Sequence, residues 1–149
     1  MKTPEGYYAV LFKEPKSKTI GVRFRDFPGI VTYGMDIEHA EEMAKEALNG
    51  VLEVDFDRSA KLPQPSRKPK AKKGERVVLV RLDPEVRMAY ILRRWRERAK
   101  LTQKQMAAKL EITYQAYQRM ERPGRSNLTV ATLEKIAESL NRRLVIDLQ

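Results

Sequence analysis

The 149-residue sequence predicts an α+β protein in two parts. A small three-stranded antiparallel sheet with one helix occupies residues 1–66, a basic linker residues 67–75, and an all-helical domain with short flanking strands residues 76–149. Three observations carry this reading. Ile20, Val22 and Phe24 alternate with Gly21, Arg23 and Arg25 just ahead of an alanine-rich amphipathic stretch, the pattern of a half-covered sheet followed by its covering helix. The tract Leu62 to Gly74 holds three prolines, five basic residues and almost nothing apolar, so it cannot contribute to a core and should be extended. From Thr102 to Glu121 the spacing is that of two short helices joined by a sharp turn.

Tyr7 to Lys13, rich in aromatic and aliphatic side chains, reads as the first strand, and Lys16-Ser17-Lys18 as the turn after it. Thr19 to Phe24 is the second strand. Asp26-Phe27-Pro28-Gly29 breaks it, and Ile30 to Tyr33 makes a third strand that ends at Gly34. Asp36 is placed to cap a long helix whose stripe is Ile37, Ala40, Ala44, Ala47, Leu48 and Val51. Beyond the linker, Val77 to Leu82 reads as a strand and Asp83-Pro84 as a helix start with proline in its first position. That helix should run to about Lys100 and bury Val86, Ala89 or Tyr90, Leu92 or Trp95, and Ala99.

Thr102 then caps a helix with Met106, Ala107 and Leu110 on one face. Ile112 is the apolar residue of the turn, and Thr113 caps the next helix, which buries Ala116 or Tyr117 together with Met120. The turn position favours positive φ, which glycine adopts freely; Glu111 there costs about 1 kcal/mol. Arg122 to Asn127 forms a loop, and Thr129 caps a last helix with Val130, Leu133, Ile136, Ala137 and Leu140. Leu144 to Leu148 closes as a strand, expected to pair with Val77 to Leu82 within the chain or across a dimer.

The charge is uneven. The whole chain has 30 Lys plus Arg against 20 Asp plus Glu, a net of +10. Residues 1–66 carry 9 basic and 11 acidic side chains, residues 67–75 carry 5 and 1, and residues 76–149 carry 16 and 8. The basic excess therefore surrounds the paired helices, where a polyanion would favour it through counterion release. No cysteine and one histidine leave neither a disulfide framework nor the usual zinc ligands, and no metal or cofactor is expected. The longest purely apolar run, Tyr8 to Phe12, is far too short to span a bilayer, and no signal-peptide core opens the chain, so a cytoplasmic protein with no membrane partner is expected.

In a helix-turn-helix the second helix enters the major groove, and its outward N-terminal residues meet base edges. Tyr114, Gln115 and Gln118 are the candidates, with Arg119 at the rim; Gln115 or Gln118 could pair with adenine and Arg119 with guanine. Gln103 and Lys104, opening the first helix, are better placed for phosphate.

The tract Leu101-Thr102-Gln103-Lys104-Gln105-Met106-Ala107, with Tyr117-Gln118-Arg119-Met120-Glu121-Arg122 and Leu133-Glu134-Lys135-Ile136-Ala137, resembles the Cro/repressor type of helix-turn-helix. The loop after the second helix is one residue longer than is common, and Arg125 and Asn127 in it are further candidates for DNA contact. Gly21 to Gly34, the alanine-rich helix and the Leu62-Pro63-Gln64-Pro65-Ser66 exit resemble the HicB antitoxin family, as does the order of the two domains. That resemblance implies a partial ribonuclease H-like first domain that binds and occludes a small, basic HicA-type messenger-RNA interferase. It also implies autorepression of the toxin–antitoxin operon through double-stranded operator DNA, by a homodimer or higher homo-oligomer. Toxin-facing candidates are Phe27 and Pro28 at the turn, Arg23 and Arg25 on the open strand face, and helix glutamates such as Glu42 and Glu46; Phe27 equally suits a core position.

Ribonuclease H chemistry needs carboxylates converging on two metal ions, and Tyr7 to Lys13 contains no acid. No Ser-His-Asp set, phosphate loop or nucleotide fingerprint appears, so catalysis is not expected. Two functions follow: an antitoxin that also represses its operon, or a stand-alone repressor whose first domain binds a small ligand or only dimerises.

Overall fold

The computed structural model describes residues 3–124 and 128–148. Four strands, β1 (Gly6–Lys13), β2 (Ile20–Phe24), β3 (Val31–Gly34) and β4 (Glu75–Arg81), and five helices, α1 (Ile37–Asp57), α2 (Pro84–Arg98), α3 (Gln103–Lys109), α4 (Tyr114–Met120) and α5 (Val130–Ser139), follow in chain order. They fall into two compact units, Met1–Arg87 and Met88–Gln149.

The sheet of the first unit is antiparallel with order β3-β2-β1-β4, so it has four strands where three were expected. The fourth is the strand assigned from sequence to the helical domain: Val77 to Val80 lie opposite Val10 to Tyr7. In a three-stranded sheet β1 would be an edge, yet Tyr7, Ala9 and Leu11 along it are buried and their backbone needs a ladder on both sides. β4 supplies it, and Val80 joins the core. The predicted partner of that strand, Leu144 to Leu148, forms no strand. The flanking strands expected of the helical domain are therefore absent among its described residues.

Period-two alternation puts Ala9 beside Phe24 and Leu11 beside Val22 on the face that α1 covers. Asp36 caps α1 through the His39 N–H at 2.8 Å. The buried stripe of α1 is Ala40, Ala44, Leu48, Asn49, Leu52 and Phe56, rotated from the expected one; Ile37 is exposed, and Ala47 and Val51 are only half-buried. Gly34 is required where β3 meets α1, since a Cβ there would lie 2.2 Å from the Ala40 nitrogen. Asn49, a buried polar side chain, accepts from the Asp83 N–H at 2.9 Å and donates to the Lys45 carbonyl at 2.9 Å. It ties the end of β4 to the helix that covers the sheet.

Residues 61–72 have no regular structure, but their start is not free of the first unit. The Tyr7 hydroxyl donates to the Pro63 carbonyl at 2.8 Å, and the Ser66 N–H donates to the Asp26 carboxylate at 3.0 Å. In the second unit Leu92, Met106, Ala107, Tyr117 and Ile136 form the core, with Trp95, Leu110, Ile112, Met120, Leu133 and Leu140 packed against it. Of the residues expected inside, Ala99 and Val130 are exposed, because α2 ends at Arg98 and Val130 sits at the first position of α5.

Candidate nucleic-acid interface

Each helix of the second unit after α2 starts on a threonine. Thr102, Thr113 and Thr129 accept from the N–H groups of Gln105, Ala116 and Thr132, and Gln105 completes a capping box on Thr102. These caps fix where α3 and α4 begin, and so which residues lead each helix. Between the two, Glu111 takes φ 55, the left-handed conformation read from its position, and the Ile112 N–H donates to the Ala107 carbonyl at 3.1 Å to close the turn.

Beneath the pair lies a buried ion pair. Glu121, just after α4, is fully buried, and its carboxylate receives Nε of Arg96 at 2.8 Å and Nη2 at 2.6 Å in a two-pronged contact. Arg96 also donates to the Leu101 carbonyl at 2.9 Å, and Nε of Arg93 lies 3.8 Å from Glu121. The hydrogen bond to Glu121 raises the Arg96 guanidinium above its ordinary range, and burial lowers that of Arg93. Burial, then the Glu121 charge, holds the Tyr117 hydroxyl well above the usual phenol range, so it stays protonated.

A polar path leads from this pair to the surface. Nε2 of Gln103 donates to Glu121 at 3.4 Å, the Tyr114 hydroxyl donates to Oε1 of Gln103 at 3.5 Å, and Nε2 of Gln118 donates to the Tyr114 hydroxyl at 3.4 Å. The Lys104 ammonium sits 5.7 Å from the centre of the Tyr114 ring. The structure thus brings together Gln103, Lys104, Tyr114 and Gln118, with Tyr114 in the middle. Gln115 and Arg119 are exposed on the same helix, while Arg125 and Asn127 lie outside the described residues. Sequence reasoning missed Arg96 and Glu121 as the base of this site; the only signal was an acid at a helix end, which resembles ordinary surface chemistry.

The candidates on the first unit are scattered. Phe27 is buried, edge-on to Tyr7 at 4.8 Å between ring centres, so it belongs to the core while Pro28 beside it is exposed. Arg23 and Arg25 project from the sheet face opposite α1. Arg23 pairs with Glu75 of β4 and lies 4.9 Å from the Phe12 ring centre. Glu42 and Glu46 are exposed on α1. Also uncovered, and not singled out by the sequence, are Val31 at 89% exposure and Tyr33 at 60%, on the same face as Arg23. Among the described residues no three acidic, histidine or cysteine side chains group as metal ligands, and no described helix is long and apolar enough to cross a membrane.

The geometry agrees with the sequence comparisons. The family of helix-turn-helix domains matches residues 92–146, which contains α3, its turn and α4. Two solved structures from Burkholderia pseudomallei are similar: the N-terminal domain of antitoxin HicB, 23% identical over 51% of this chain and 96% of that one with a TM-score of 0.43, and antitoxin HicB, 16% identical over 74% and 89% with a TM-score of 0.44. Comparison with curated proteins gives no match. The profile of HicB-like antitoxins of bacterial toxin–antitoxin systems matches residues 6–83, more than half of the 149 residues and all four strands, and the chain belongs to that family.

Proposed function

We propose that the first unit binds and occludes a small, basic HicA-like toxin ribonuclease and that the second, as a dimer, reads operator DNA and represses the toxin–antitoxin operon. The observation that carries the DNA half is the cluster of Gln103, Lys104, Tyr114 and Gln118 on capped helices in a unit rich in Lys and Arg. In this reading Gln118 and Gln115 face base edges, Lys104 and Gln103 face phosphate, and Arg119 lies at the rim. Arg125 and Asn127 would add contacts from the loop after α4.

For the toxin half, the exposed carboxylates Glu42 and Glu46 on α1 suit a basic partner. The rival surface is the opposite sheet face with Arg23 and Arg25, and Pro28 borders the turn between β2 and β3. Charge reversal separates the two: Glu42→Lys with Glu46→Lys should abolish co-purification with the small basic product of the neighbouring gene, while Arg23→Glu with Arg25→Glu should leave it intact. Failure of the unaltered chain to co-purify with that product would favour a stand-alone repressor.

Gel-shift titration checks the DNA half. Gln118→Ala should lower affinity for the operator about 5- to 100-fold, as expected from roughly 1–3 kcal/mol of lost base discrimination, with little change on random DNA. Lys104→Ala should weaken both alike and flatten the salt dependence. Equal losses on both DNAs for both variants would contradict the division of roles.

A further inference from the structure

α5 ends at Asn141, whose φ of 53 turns the chain, and the Arg142 N–H donates to the Ala137 carbonyl at 2.9 Å. Beyond this cap runs Arg143-Leu144-Val145-Ile146-Asp147-Leu148, aliphatic and β-branched in composition but outside any strand. Val145 is 76% exposed, Ile146 63% and Leu148 95%. Leu144 alone is half-buried, and with Val145 it lines a groove of about 620 Å³ against Trp95 and Leu140, with Arg98 and Arg143 among the groove's cationic residues. An extended apolar segment with unpaired backbone beside an apolar groove is a template for another strand.

We propose that this segment pairs antiparallel with the same segment of a second copy of the chain, about a two-fold axis at Val145. The charges choose the register. With Val145 opposite its own copy, Arg143 faces the partner's Asp147 and Asp147 faces the partner's Arg143, two ion pairs from one sequence, while Leu144 faces the partner's Ile146. Slipping by one residue to put Val145 opposite Ile146 sets Asp147 against Leu144 and Arg143 against Leu148. Slipping the other way, Val145 opposite Leu144, leaves Arg143 against Ile146. In the chosen register Leu144, Ile146 and Leu148 share one face, so the partner's Ile146 arrives beside Leu144 at the groove. The pairing rests on residues 142–148 and does not depend on the DNA reading, although a two-fold is what paired half-sites require.

The chain has no cysteine, so Val145→Cys in the full-length protein places one thiol per chain at the proposed axis. Under mild oxidation at micromolar concentration it should form a disulfide-linked dimer at least tenfold faster than Leu148→Cys, the more exposed position, whose copies lie far apart in this register. In sedimentation equilibrium Arg143→Glu should weaken self-association at least tenfold, and Arg143→Glu with Asp147→Arg should restore it. Equal cross-linking at the two positions, or a double variant no better than the single, would overturn the proposal. A chain that binds operator as a dimer yet fails both tests keeps the DNA reading and loses the ribbon; one that passes both yet ignores operator does the reverse.

Discussion

Glu121 shows how one residue can matter more for position than for stability. Replacing it with alanine leaves Arg96 buried without its carboxylate, and chemical denaturation should show a loss of roughly 3–5 kcal/mol. Exchanging both for apolar residues, Arg96→Met with Glu121→Leu, should be near neutral for folding and still weaken operator binding, since Gln103 then loses its inner partner. Glu75 carries a pH signature of its own. Its carboxyl is held below the usual range first by the Lys72 N–H and then by the Arg23 guanidinium. Because its folded pKa is depressed, its contribution to stability is present above the unfolded carboxylate pKa and fades as pH falls through the folded value. Carbon-detected NMR titration should place its midpoint below that of a free glutamate, and Arg23→Ala should raise that midpoint only part of the way. At this scale the local chemistry was legible: the threonine caps, Asp36 and the left-handed Glu111 all follow from neighbours within four residues. The Arg96–Glu121 pair was not, because it joins residues 25 apart and an acid at a helix end looks solvated until its partner is known.

Elements repeat that lesson at longer range. The positions of β1, β2, β3 and α3 to α5 are recoverable from alternation and caps, since each is set by a few adjacent side chains. The membership of β4 is not. Glu75–Arg81 looks like a strand on any reading, but what it pairs with depends on the free edge of β1, more than 60 residues earlier. A hairpin partner is announced by its turn, whereas a partner across a proline-rich tract leaves no local mark. A fragment ending at Ser66 should therefore lack a cooperative thermal transition and tend to aggregate through the uncovered edge of β1, while a fragment ending at Arg87 should melt cooperatively. Circular dichroism on the two decides the matter. The same dependence explains the rotated stripe of α1: Asn49 turns inward because Asp83, after β4, donates to it.

For the whole molecule the two functions of the family sit in two units of opposite charge balance, and the sequence alone showed the contrast. What it did not show is that the unit matched by the antitoxin profile is discontinuous along the chain. Its first part ends near Ser66, which is held by Asp26, and its last strand returns only at Glu75. The lysines and arginines between, Arg67 to Lys73, are exposed apart from the half-buried backbone around Pro69. Light trypsin treatment should cut there first and give two bands under denaturing conditions that still migrate together in native gel filtration. Such a cut is a nick and not a separation. The fragment carrying the helix-turn-helix would keep β4, so the seven-residue ladder of β4 against β1 would become the joint between toxin binder and DNA reader. A covalent tether would thereby turn into a reversible one, with a dissociation constant and a dependence on concentration that the intact chain does not have.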